Sequence, residues 1–129
     1  MNIDMLRTEI TGDPLSRGYA AMSNEEVADS LNTINRSRNR TLVSPGEMQR
    51  AVNGGEFVAL TDVKQRAWLA ILSDNVNPID ANTIAQVIAI WSPGTTRTNL
   101  IALQTEDVSH AVELGLGVVR VGHVQEARR

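Results

Sequence analysis

The chain has 129 residues, of which 42% are hydrophobic, 21% charged and only 3% aromatic, with no cysteine and a net charge of −3. This length suits one globular domain, 1–129, with a core of Leu, Ile, Val, Ala and Met, and the lack of cysteine excludes a disulfide scaffold, a zinc ribbon and a thiol nucleophile. An acidic balance, with a pI of about 5.3, gives no global field for DNA or an anionic membrane. No apolar run approaches the roughly 20 residues a bilayer needs, and no signal-peptide pattern is visible, so a soluble intracellular product without membrane association is expected.

The first element spans Asn2 to Ile10, where Ile3, Leu6 and Ile10 recur at helical spacing, Asn2 can cap, and Gly12-Asp13-Pro14 stops the helix. A loop through Ser16-Arg17-Gly18-Tyr19 follows, with the Tyr19 ring expected to be buried and its tip near water. Ser23 and Glu26 then make a capping-box pattern that starts a second helix near Asn24, with Val27, Leu31 and Ile34 on one stripe and an end around Asn35. The segment Asn35 to Thr41 reads as a surface loop. Ser44 and Glu47 repeat the capping box, with Pro45 at the first helical position, and predict a third helix to about Val52. Asn53-Gly54-Gly55 reads as its stop, with positive φ at the glycines.

Thr61-Asp62 opens a fourth helix with Ala67, Trp68, Ile71 and Leu72 on its apolar face, ending near Asp74. Ile84, Val87, Ile88 and Trp91 form the cleanest helical stripe in the chain, closed by Pro93-Gly94. A last long helix is predicted from about Thr98 to Leu114, burying Leu100, Leu103, Val108 and Ala111 and ending on Gly115. Gly115 and Gly117 then permit the chain to reverse. Residues 118–121 can pair as a small β-bridge or pack as an extended strap, before a final helical turn over 122–128. The fold class is all-α, a single compact domain of six or seven short helices.

Motifs that carry chemistry are scarce. His110 and Glu113 lie three apart, and with His123 they allow a three-ligand metal site to be drawn, but neither number nor spacing is distinctive. The reading adopted is no metal and no cofactor, with two partly exposed histidines. No Gly-x-Ser-x-Gly elbow, Walker loop or dinucleotide fingerprint is present, and a non-enzymatic protein is expected. What stands out is Arg36-Ser37-Arg38-Asn39-Arg40, joined by Arg50, in a chain with eleven arginines and one lysine. Arginine favours bidentate contacts with carboxylates or phosphates. No aromatic is interleaved for base stacking, so Arg36, Arg38, Arg40 and Arg50 are taken as a protein interface in preference to a nucleic-acid one, with a purely solvated loop as the plain alternative.

Several segments together resemble small proteins encoded by tailed bacteriophages and prophages. They are Asp13-Pro14-Leu15, Arg17-Gly18-Tyr19, Val27-Ala28-Asp29-Ser30-Leu31-Asn32-Thr33, Asn35-Arg36, the Thr61-Asp62 helix with Trp68, Glu113-Leu114-Gly115-Leu116-Gly117, and Gly122-His123-Val124-Gln125-Glu126-Ala127-Arg128. The resemblance implies a virion-morphogenesis context: a structural component of the neck, as a head–tail connector, or of the tail, assembled in the bacterial host cytoplasm. Its partners would be other virion proteins and further copies of itself. The alternative is a free phage-encoded binding protein that modulates a host factor or nucleic acid.

Overall fold

A computed structural model describes every residue, Met1–Arg129. In chain order the elements are α1 (Ile3–Gly12), a 3-10 turn (Tyr19–Ala21), α2 (Asn24–Asn32), β1 (Ile34–Asn39), α3 (Pro45–Ala51), α4 (Gly54–Val58), α5 (Asp62–Ile71), α6 (Ala81–Ile90), α7 (Thr95–Ala102), β2 (Thr105–Ser109), α8 (His110–Glu113) and α9 (Val121–Ala127). The protein is therefore mostly helical, with β1 and β2 paired in a small antiparallel ribbon.

Side-chain caps set most helix starts, because each satisfies a backbone N–H that the first turn leaves without a partner. Asn2 accepts from the Met5 amide at 3.0 Å. Both capping boxes form reciprocally, Ser23 with Glu26 and Ser44 with Glu47. Thr61 caps α5, and Asp80 caps α6 through the amides of Asn82 and Thr83.

Three expectations are corrected and one open alternative is decided. Most of the segment 35–41 is not a loop, since residues 34–39 form β1. Arg36 and Arg38 follow the two-residue period of the strand, and Arg40 lies one residue past its end. The helix expected over 98–114 is three elements, α7, β2 and α8. Thr105, Asp107 and Val108 are poor helix formers, and the Ser109 hydroxyl starts α8 by accepting from the Val112 amide. Gly54 and Gly55 do not adopt positive φ; Asn53 instead caps a further helix, α4, through the Glu56 amide. No β-bridge forms at 118–121: the Asn32 amide side chain takes both backbone groups of Val119, donating at 2.7 Å and accepting at 2.9 Å. Gly115 and Gly117 do turn the chain with φ of 76° and 68°.

The chain folds into two compact units, and it passes from one to the other within β1 and again within β2. The terminal unit comprises Met1–Arg38 and Asp107–Arg129. Its core is Leu6, Tyr19, Val27, Leu31, Val119 and Val124 with Ala28, Ala111, Leu116 and Ala127. The C-terminal helix α9 is fastened there by polar contacts as well. The Arg128 guanidinium donates to the carbonyls of Tyr19 and Met22 and to Asn24, and Arg7 donates to the Ala127 carbonyl.

The central unit, Asn39–Glu106, has its own core of Val43, Met48, Ala51, Trp68, Ile90, Trp91 and Leu100. Val43 and Val76 exchange both backbone hydrogen bonds as an isolated antiparallel bridge. Trp68 and Trp91 meet edge to face, their ring centroids 5.3 Å apart, and Phe57 packs on Trp91 at 6.5 Å. Glu56 serves α7 as a cap from a distance, because Gly94 has no side chain to do so. Its carboxylate accepts from the Thr96 amide at 2.7 Å and from the Thr96 hydroxyl at 2.8 Å. A Cβ on Gly94 would push the Glu56 carboxylate out of its present position.

Trp91 is 2% exposed and completes the contact with Trp68. Truncating Trp91→Ala should cost about 3 to 5 kcal/mol through the cavity it leaves, measured as a shift in the urea midpoint. An unchanged midpoint would show that the indole is not part of the core.

Candidate functional site

The four arginines singled out by the sequence do not form one free basic surface. Arg36, on β1, donates through Nε to Glu113 at 3.0 Å within the terminal unit. Arg40 belongs to the central unit, where its guanidinium bonds both carboxylate oxygens of Glu47, the same residue that closes the α3 capping box. The fork geometry of Arg40 holds the Glu47 carboxyl far below the usual range, at about 2, with the Ser44 amide assisting. Arg38 also has an interaction partner. Arg50 stands exposed on α3. Two of the three clustered guanidinium groups are thus engaged by carboxylates of this same chain.

His110 is a correction. It is 4% exposed and not a surface group. Its Nε2 lies 2.7 Å from Glu9 and its Nδ1 2.7 Å from Glu113, while the Tyr19 hydroxyl donates to the same Glu9 oxygen at 3.0 Å. Tyr19 is fully buried, its tip included, and burial followed by the Glu9 contact pushes its phenol above the ordinary range. Glu113 is held below the ordinary carboxylate range by Arg36 and then by His110. Leaving buried polar groups such as Glu9 and His110 without partners is costly, which makes the set a structural clamp of the terminal unit. His123 is used elsewhere: its Nδ1 accepts from the Arg120 amide at the start of α9. No group of three or more His, Cys, Asp or Glu side chains is placed to share a metal ion.

The feature with the geometry of a binding site is one that sequence reasoning did not find, an apolar groove of about 210 Å3 in the central unit. One wall is α6, through Ile84, Val87 and Ile88; the other is α7 and the residues after it, through Leu100, Ile101 and Leu103. Val43, Met48 and Val76 complete the apolar lining. Trp91 and Ile90 anchor α6 in the core from the far end of the helix, so the stripe read from the sequence as core divides: Trp91 is buried, Ile84, Val87 and Leu103 are half-buried, and Ile88 and Ile101 are 50% and 55% exposed. The available signal was composition. In Ala81–Ile90 the apolar and alanine positions are not confined to one stripe, more than burial against a single neighbour requires.

No helix is long and apolar enough to cross a membrane. No family model, no curated protein and no solved structure matches this chain.

The Arg40–Glu47 pair sets a pH signature. Because the folded carboxyl titrates at about 2 and the unfolded one near 4.5, its stabilisation is present above about pH 4.5 and is lost as pH falls from there toward 2. Arg40→Gln should therefore flatten the acid limb of the stability curve, followed by thermal melts over that window. Identical limbs in the two proteins would contradict the pairing.

Proposed function

We propose that the protein acts by binding other proteins and catalyses no reaction, as a structural component of a tailed-phage virion in the neck or tail. The observation that carries the protein-binding part is the open apolar groove of the central unit. Its walls expose Ile88 and Ile101 half to water, and a contiguous apolar cleft is costly to leave wet unless a partner covers it. The clustered arginines support the choice of protein over nucleic acid. Arg36 and Arg40 already answer Glu113 and Glu47, which leaves them less able to neutralise a phosphate backbone.

The virion context rests on the resemblance of the N-terminal, Thr61-Asp62 and C-terminal segments to phage and prophage proteins. In that setting copies assemble by symmetry, with other virion proteins as neighbours, and modest contacts suffice because they are repeated. The alternative is a free phage-encoded protein whose groove captures a host factor.

Mass spectrometry of gradient-purified particles separates the two. The virion reading expects the wild-type chain in particles, and the double substitution Ile88→Glu/Ile101→Glu should be absent from them while keeping its helical circular dichroism, since both side chains are half exposed. A chain found in infected cells and never in particles would replace the virion reading with the free-binder one.

A further inference from the structure

We infer that the groove's occupant is an amphipathic helix of a partner protein, carrying apolar anchors three or four residues apart and one carboxylate that pairs with Arg97. The inference rests on the protein-binding reading of the groove and adds the chemistry of what fills it. Arg97 is part of the groove lining, and it sits four residues before Ile101 on α7, so guanidinium and isoleucine share one helix face. Unlike Arg36 and Arg40, Arg97 has no hydrogen-bond or ion-pair partner in the chain. Asp80 is committed to the amides of Asn82 and Thr83, and the Gln104 side chain donates to the Pro78 carbonyl. A partly buried cation beside an apolar cleft thus awaits an anion from outside, and the rest of the lining asks for aliphatic groups.

Size decides between kinds of occupant. Small-molecule and cofactor sites typically run from about 300 to 1,000 Å3 and converge several polar groups on the ligand, whereas this groove holds about 210 Å3 and is open along one side between two helices. Its walls each present little more than one helical turn of branched aliphatic side chains, Ile84 to Ile88 on one side and Leu100 to Leu103 on the other, a surface that takes two anchors spaced three or four residues apart on a third helix. Ile84 and Val87 on one side and Leu100 on the other are the less exposed members of the two walls. The half-exposed Ile88 and Ile101 form the lips that would close over the anchors. A carboxylate one turn from the anchors then reaches Arg97, where partial burial makes a charge-assisted bond stronger than at an open surface.

The test is a selection of random helical peptides displayed against the wild-type protein, followed by affinity measurements on the enriched sequences as synthetic peptides. The expected consensus has two aliphatic residues at i and i+3 or i+4 and an Asp or Glu within a further turn. Ile88→Glu/Ile101→Glu should abolish binding. Arg97→Glu should weaken it on the order of tenfold, and changing the peptide's acid to Lys should restore affinity for the Arg97→Glu protein, which also shows that this variant is folded. Peptides that need Ile88 and Ile101 yet ignore Arg97 would overturn the carboxylate assignment and leave the protein-binding reading standing. If no enriched peptide is sensitive to Ile88→Glu/Ile101→Glu, the protein-binding reading of the groove falls as well. If decanoate shifts the Ile88 and Ile101 methyl resonances at micromolar concentration while no peptide enriches, the occupant is a small amphiphile and the helix proposal is wrong.

Discussion

The central unit depends on the placing of Trp91 against Trp68. With only four aromatic side chains in the chain, three of them, Phe57, Trp68 and Trp91, are concentrated in this one core, and the edge-to-face contact at 5.3 Å fixes where α6 ends relative to α5. The arrangement has a cost, because both indole N–H groups are buried without an acceptor. Its consequence is geometric. Once Trp91 and Ile90 are committed to the interior, the remaining apolar residues of α6 cannot all turn inward, and Ile84, Val87 and Ile88 are left as a wall facing α7. The groove is thus a by-product of how the helix is anchored.

Polar contacts hold the terminal unit in a different way. Its single aromatic, Tyr19, donates to Glu9, which meets His110, which meets Glu113, which accepts from Arg36. Such a chain of groups stabilises only if every member is satisfied. The arginine cluster is best understood in these terms: Arg36 closes the network from β1, and Arg40 secures the first turn of α3 through Glu47. The cations most visible in the sequence are largely internal fasteners, and Arg97, which the sequence did not mark out, is the one that lines an apolar surface without a counter-ion.

The legible part of the fold was local. Asn2, Ser23 with Glu26, Ser44 with Glu47, and Thr61 mark helix starts by chemistry confined to three or four residues, and all four operate. What escaped was decided at long range. Arg36, Arg38 and Arg40 already carried a two-residue period, but a strand needs a partner, and β2 lies some seventy residues on, inside what reads as a continuous helix. Glu9 and His110 are separated by 101 positions, so nothing near His110 in the sequence distinguishes a clamp from a surface histidine. The groove was concealed by its own regularity, because a helical apolar stripe is the same pattern whether the neighbour that covers it belongs to this chain or to another.

The central claim is that the Ile88 and Ile101 lips of the groove stand open in the free protein, ready for a partner. Methyl-labelled protein in the presence of a soluble gadolinium chelate tests this directly, since methyl relaxation rises with solvent access. The account predicts that Ile88 and Ile101 respond far more strongly than the buried Leu6 and Leu31, approaching the 77% and 74% exposed Val58 and Val63. Ile88 and Ile101 methyls as protected as those of Leu31, at every protein concentration, would mean the cleft is already covered and would contradict it.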